Sequence, residues 1–147
     1  MDEKFLCLTA KEIFYTAVML KIKQLVNIVY DFPADVNKFE QELNEARNSL
    51  RKKKLLTESA RGGINLNFAL IACTAFCAAP ETCEIINSNN YHATIYKVSS
   101  VYMLMEKNSS DEFNFIWFTE REILNKYVDS KINLQNSEGE NIKNVRS

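Results

Sequence analysis

Residues 83–118 read CEIINSNNYHATIYKVSSVYMLMEKNSSDEFNFIWF, and the period of this stretch decides the fold. Cys83 to Asn87, Ala93 to Val98, Val101 to Glu106 and Glu112 to Phe118 are short runs of β-branched, aromatic and other apolar residues. Ser88-Asn89-Asn90, Ser99-Ser100 and Asn108-Ser109-Ser110-Asp111 separate them. Such residues favour turns because their short polar side chains bond back to nearby backbone. The stretch therefore predicts a four-stranded antiparallel meander. Alternation along a strand puts Phe113, Phe115 and Trp117 on one face and Ile116 and Phe118 on the other. Val101, Met103 and Met105 likewise lie opposite Tyr102 and Leu104. Both faces are apolar, so both need cover. Helices of the same chain answer for one face. For the other, the sequence leaves two covers open: a further helix of the chain, or a partner.

Working back towards the N-terminus, the period changes to that of helices. Phe5 to Leu8 is a short apolar run suited to strand pairing, and Thr9-Ala10-Lys11-Glu12 is a capping box that starts a helix at Ala10. Leu8 and Ile13 are spaced as a hydrophobic staple, and Ile13, Phe14, Ala17, Val18 and Leu20 make that helix apolar over more than half its girth. Lys21 to Phe32 has mixed periodicity. Pro33 imposes a boundary, and Asp35 is the N-cap candidate for a second long helix from near Val36. There Val36, Phe39, Leu43, Ala46 and Leu50 form one stripe, and Arg51-Lys52-Lys53-Lys54 complements the dipole at the C-terminal end. After Gly62-Gly63 a third helix is expected over Leu66 to Ala78, stopped before Pro80. Beyond the meander, Thr119-Glu120-Arg121-Glu122 is a second capping box, opening a helix whose Ile123, Leu124, Tyr127 and Val128 face the sheet. The expected architecture is α+β: N-terminal helices packed on a four-stranded antiparallel meander, followed by a C-terminal helix. Residues 1–129 form one domain, and the polar residues 130–147 are expected to be a flexible tail.

Composition narrows the function. The chain has 147 residues, enough for one domain with a core that needs no staples. A formal net charge of -1 gives no broad field that would recruit nucleic acid or an anionic membrane. Cys7, Cys73 and Cys77 sit among apolar neighbours, which with Cys83 reads as four reduced thiols rather than a disulfide framework. No basic start followed by an apolar leader core opens the sequence, and no apolar run reaches the length of a bilayer crossing. The expected location is the cytoplasm, with no membrane partner.

Candidate chemistry is sparse. His92 stands at a turn without the carboxylate or co-ligands that catalysis or metal binding requires. Cys73 and Cys77 lie one helical turn apart near Cys83, a spacing explained by small apolar thiols in a core helix rather than by a zinc site on turns. Gly62-Gly63 lacks the preceding strand and the Lys-Ser/Thr of a phosphate loop. Glu40, Glu42 and Glu45 fall on the solvent side of the second helix. Asn67 and Thr74 have the ordinary backbone-bonding roles of such residues in an apolar helix. No metal, cofactor or catalytic set is expected, and an enzyme ranks last among the function classes.

Two binding readings remain. The basic cluster Arg51, Lys52, Lys53 and Lys54, followed by Leu55-Leu56 and the β-like Ile64-Asn65-Leu66, is similar to the way a winged-helix domain closes its recognition helix. Asn44, Asn48, Arg51 and Lys52 would then enter a major groove. This makes a DNA-binding regulator, with a dimerisation or sensing sheet, the alternative reading. The other is carried by the order of segments. A short strand, Leu8-Thr9-Ala10-Lys11-Glu12-Ile13, a long helix ending in Arg51-Lys52-Lys53-Lys54-Leu55-Leu56, a helix ending at Ala79-Pro80 and then Cys83-Glu84-Ile85-Ile86 resembles the EspG-type chaperones of type VII (ESX) secretion over about residues 5 to 128. The resemblance implies a cytosolic, non-enzymatic α+β protein that keeps a helical secretion substrate soluble until export. It brings no catalytic residue and no client-contacting residue. Full-length members carry two related α/β halves, whereas this chain holds one, so either a homodimer rebuilds the second half or the function has diverged. A chaperone of this kind needs an apolar surface, and the surplus sheet face centred on Tyr102, Leu104, Ile116 and Phe118 is the expected partner site.

Overall fold

The computed structural model describes residues 6–109 and 111–146, which form an α+β fold. In chain order the elements are β1 Leu6–Thr9, α1 Ala10–Met19, α2 Val36–Lys52, β2 Leu56–Glu58, β3 Ile64–Leu66 and α3 Phe68–Ala78, followed by β4 Thr82–Asn87, β5 His92–Val98, β6 Val101–Lys107, β7 Glu112–Phe118 and α4 Arg121–Arg146. The expected meander is present, but the sheet has five strands in the order β1-β7-β6-β5-β4. The extra member is β1, which pairs antiparallel with β7 through Leu6–Phe115 and Leu8–Phe113. Phe5, the first residue of the expected strand, lies outside the described residues.

The register sets the two faces. Met103 lies opposite Trp117 and Met105 opposite Phe115, while Tyr102 faces Phe118 and Leu104 faces Ile116. Met103, Met105 and Phe115 are buried against Leu8, Ile13, Leu70, Cys73, Cys77 and Tyr96 in the main core, with Phe76 edge-on to Trp117 at 4.8 Å between ring centres. Helices α1 and α3 lie on this face, and α2 packs outside on α1. Phe68, at the start of α3, instead points outward and is exposed.

Helix α1 starts where the capping box places it. Glu12 N–H donates to Thr9 Oγ1 at 3.2 Å, and Thr9 N–H donates to Glu12 Oε1 at 2.8 Å. That leaves Glu12 with a carboxylate turned inward, 1% exposed. Its two oxygens are satisfied from α2: Ser49 Oγ donates to Oε2 at 2.5 Å, and Lys53 Nζ, just past the helix end, pairs with Oε1 at 2.6 Å. Lys53 Nζ also donates to the Cys7 carbonyl of β1 at 3.0 Å. One carboxylate thus ties the cap of α1 to the end of α2, and its lysine ties both to the sheet edge.

The stretch of mixed periodicity is neither helix nor strand. Lys21 takes a left-handed φ of 59°, ending α1, while Ile22 N–H bonds back to Ala17 O at 2.8 Å. The segment is nevertheless anchored: Val26 N–H donates to Cys77 O at 2.7 Å, Tyr96 Oη donates to Val26 O at 2.6 Å, and Ile28 is buried. Phe14, Tyr30, Phe32 and Phe39 form a chain of ring contacts that carries the segment to α2. Asp35 caps α2 as expected, accepting from Asn37 N–H at 2.8 Å.

Two boundaries differ from the sequence reading. The cap of α4 falls on Glu120 rather than Thr119, because Leu124 N–H makes the first helical bond to Glu120 O at 3.2 Å. The same helix runs on through most of residues 130–147, which composition alone sets apart as a tail. No proline interrupts that stretch, and polarity by itself does not end a helix. Ser147 lies outside the described residues.

Losing a helix cap typically costs about 0.5–2 kcal/mol and a hydrogen bond to a charged group about 1.5–3 kcal/mol, against about 0–1 kcal/mol for an exposed pair. Glu12→Ala, which removes the acceptor of Thr9 N–H, Ser49 and Lys53, should therefore lower the urea unfolding free energy by about 2–3 kcal/mol. Lys11→Ala, which breaks the exposed 2.8 Å pair with Glu45, should change it by less than about 1 kcal/mol. Equal effects in the two variants would show that Glu12 does not hold the helices together.

Candidate functional site

In a meander the first and last strands are edges. Here β1 covers the outer side of β7, so the other edge is β4, Thr82-Cys83-Glu84-Ile85-Ile86-Asn87. Strand β4 bonds to β5 along its inner side, from Thr82–Lys97 to Asn87–His92. An edge strand offers a row of backbone donors and acceptors to any further strand, and proteins usually blunt such edges with lysine, proline, a bulge or short length. At the other edge Lys53 occupies the Cys7 carbonyl of β1. Strand β4 is six residues long and carries neither lysine nor proline. Its one charge is cancelled: Arg121 of α4 holds Glu84 through two contacts, Nη1–Oε2 at 2.5 Å and Nη2–Oε1 at 2.9 Å. Hydrogen bonding from Arg121 keeps the Glu84 carboxyl below its ordinary range. The pair's contribution is therefore present at neutral pH and is lost as the medium is acidified through that lowered value.

A groove flanks this edge on each face of the sheet. On the α1/α3 side, a cleft of about 450 Å³ runs between the 27–29 segment and the ends of β4, β5, β6 and β7, lined by Val29, Ile85, Asn87, His92, Met105 and Phe113. Ile85 is 61% exposed and Val29 79% exposed at its rim. On the α4 side, a second cleft of about 420 Å³ lies between β4 and the helix, with Ile86, Ile95, Val128 and Ile132 among its lining and Arg121 beside them. Because neighbouring residues of a strand face opposite ways, an added strand would send alternate side chains into the two clefts.

The residues expected to form the partner site lie elsewhere. Leu104 is fully buried, and Tyr102, Ile116 and Phe118 are half-buried in a second core with Leu124, Val128, Tyr127 and Ile132. The surplus face is roofed by the chain's own C-terminal helix, which corrects the expectation that these four side chains form an open surface. Tyr102 is further shielded by cations, with the Arg121 guanidinium 5.5 Å and Lys97 Nζ 5.9 Å from its ring centre. Phe118 meets the Tyr127 ring at 5.7 Å. Under the helix, Glu106 is buried and accepts from Tyr91 Oη at 2.6 Å and Tyr127 Oη at 3.0 Å. Burial first, then the bond to Glu106, push the Tyr91 phenol far above its ordinary value, so it stays a donor.

The basic cluster is partly spent inside the molecule. Lys53 is paired with Glu12, and Arg51 with Glu58 of β2 and Asn48. Lys52 and Lys54 are exposed. The β2–β3 hairpin after α2 does form, and Gly62-Gly63 is its turn: Gly62 has φ 83°, a value that side chains disfavour, and Gly63 N–H donates to Ser59 Oγ at 2.9 Å. Asn67 caps α3 by accepting from Ala69 N–H at 2.8 Å, and Thr74 donates back to Leu70 O at 2.9 Å. His92 is exposed at the start of β5, with Nδ1 3.0 Å from Asn87 Oδ1. Among the described residues, no group of three or more His, Cys, Asp or Glu is placed to hold a metal ion. No helix among them is long and apolar enough to cross a membrane.

Sequence reasoning passed over Ile85 and Val29. The available signal was topological: once Phe5–Leu8 is granted a place beside the last strand, the edge must fall on the run from Cys83. Compared with known protein families and with curated proteins, the chain matches none.

The cysteines test the main core. Burial pushes the Cys77 thiol up to about 12 and that of Cys73 well above its ordinary value, whereas Cys7 and Cys83 are only half-buried. In the folded protein at neutral pH, iodoacetamide followed by peptide mass spectrometry should label Cys7 and Cys83 first, and Cys73 and Cys77 only in denaturant. Rapid labelling of either helix cysteine would contradict the packing of α3 on the sheet.

Proposed function

We propose that the chain is a non-enzymatic protein-binding module of the chaperone or adaptor kind, whose partner docks along the β4 edge. The observation that carries this reading is a six-residue edge without lysine or proline, its one carboxylate already paired, exposing Ile85 between two clefts. Main-chain bonds along an edge supply affinity for a partner segment, and clefts taking alternate side chains supply selectivity. The more specific form, a chaperone for a helical substrate of type VII secretion, is supported by the resemblance of the segment order and motifs. In that form, an extended segment flanking the client's helices seats on β4.

The test uses the tagged full chain beside Ile85→Lys, which places a charge in the edge without touching either core. A protein retained in stoichiometric amount by the unsubstituted chain should be lost from Ile85→Lys by about tenfold or more, equivalent to about 1.4 kcal/mol. The two chains should have the same thermal melt. Equal retention by both, or no retained protein at all, overturns the reading. A retained partner with no helical circular dichroism discards the secretion form while keeping the docking site.

One observation favours a second reading, DNA binding. Helix α2 is followed directly by the β2–β3 hairpin, with Asn44, Asn48 and Lys52 exposed on the helix and Arg61 at the hairpin turn. This reading expects a random-sequence duplex to bind at low salt, with affinity falling steeply as salt rises, and to bind more weakly to a Lys52→Gln/Lys54→Gln variant. Fluorescence anisotropy decides: no binding at low salt, or binding indifferent to those two lysines, discards it.

A further inference from the structure

Resting on the reading of β4 as a docking edge, we infer that in the isolated protein this edge is occupied by the same strand of a second copy. The two β4 strands run antiparallel about a two-fold axis through Ile85, making one continuous ten-stranded sheet from two five-stranded ones.

The register follows from geometry. Directly opposed residues in an antiparallel pair point to the same face. A two-fold axis perpendicular to the sheet keeps each face on its own side, so the axis must pass beside one residue, which then meets its own copy. Centring on Glu84 sets each Glu84–Arg121 pair against its own copy, like group on like group. Centring on Ile86 leaves Ile85 opposite Asn87. Centring on Ile85 pairs Ile85 with Ile85, Glu84 with Ile86 and Cys83 with Asn87, with no like charges opposed. It also buries the most exposed large apolar side chain of the sheet, which is 61% accessible in the single chain.

Electrostatics agree with this choice. Arg121 already neutralises Glu84 from the α4 side, so each strand brings an uncharged edge to the seam. The chain's net charge of -1 adds little repulsion between copies. On the α1/α3 face, each Ile85 would lie at the rim of the other copy's cleft, against that copy's own Ile85. The seam is short for an interface, since stable pairs commonly bury about 800 Å² per partner. Association should therefore be reversible and depend on concentration, leaving the edge available to a client that competes for it.

Two measurements on the full chain test this. In sedimentation equilibrium, the mass should rise from one towards two chains with concentration, and Ile85→Lys should stay at one chain. Ile85→Thr keeps a strand-forming residue and, if the lysine variant fails to fold, carries the same comparison, with weakened association expected. For the register, Ile85→Cys opposes its own copy at a distance a disulfide can span, whereas Glu84→Cys faces Ile86. Mild oxidation should give more covalent dimer from Ile85→Cys than from Glu84→Cys or the unsubstituted chain, whose four native cysteines set the background. A single-chain mass at every concentration, or equal covalent dimer from the two cysteine variants, overturns the inference. A monomer that still loses its partner on Ile85→Lys leaves the docking function standing and removes only the second copy. A dimer that retains its partner equally in both forms does the reverse.

Discussion

The carboxylate of Glu12 is the joint on which the helical layer turns. It is buried, yet both oxygens and the neighbouring backbone donor are satisfied by Thr9, Ser49 and Lys53. A carboxyl group buried in that position is tolerable only with such a complete set of partners, because each buried polar atom left unpaired would cost about 1–3 kcal/mol. Its partners come from two elements besides its own helix: the strand at the sheet edge, and the second helix with its C-cap. The charge therefore fixes where α2 lies, which apolar residues can sink to 0–1% exposure, and why Ala46 and Leu50 do so. The geometry also pairs the charge of Lys53, since its ammonium is directed at Glu12 and at a strand carbonyl. A basic run counted as four charges in the sequence presents fewer to a polyanion in the fold.

The sheet is the second constraint. Both of its faces are apolar, and each obtains a cover from the same chain: α1 and α3 on one side, the first turns of α4 on the other. Burying Leu104, Leu124 and Val128 contributes about 2 kcal/mol each by area, enough to order a helix whose remaining length is largely polar. Tyr91, Tyr127 and Glu106 add direction to that otherwise non-directional contact, because a buried carboxylate must keep its two phenol donors. Arg121 fixes the start of the helix against β4. Once both faces are roofed, the remaining open structure of the sheet is its rim.

Most of the fold was legible because its signals are local. Capping boxes, a stripe at steps of three and four, and alternation between turn clusters each specify an element within a dozen residues. The caps at Thr9 and Asp35, the span of β7 and the two faces of β6 came directly from such patterns. What was not legible required knowledge of tertiary neighbours. Alternation says that Tyr102, Leu104, Ile116 and Phe118 share a face, but it carries no information on what lies over them. Lys21 to Phe32 gave mixed periods because the segment is ordered by tertiary partners, Cys77 O, Tyr96 Oη and the rings of Phe14 and Phe39, rather than by a repeat of its own. Glu12 read as a capping residue, and its second role emerged only when the fold brought Ser49 and Lys53 across 37 and 41 positions of sequence.

The two edges of the sheet make the remaining asymmetry intelligible. Both are free of further strands in the described fold, so both face the same physical hazard of unplanned pairing. At β1 the hazard is met by a lysine bound to a carbonyl. At β4 the sequence had the means to do the same, since Glu84 is a charge on the strand itself. Instead Arg121 is brought from α4 to neutralise it, and a large apolar side chain is placed next to it facing solvent. A chain that needed only to avoid association would gain nothing from that arrangement. Retaining a neutral, apolar edge at one end while closing the other is the pattern expected when one particular strand is meant to pair, and for that reason the proposed binding role is placed on the rim rather than on either face.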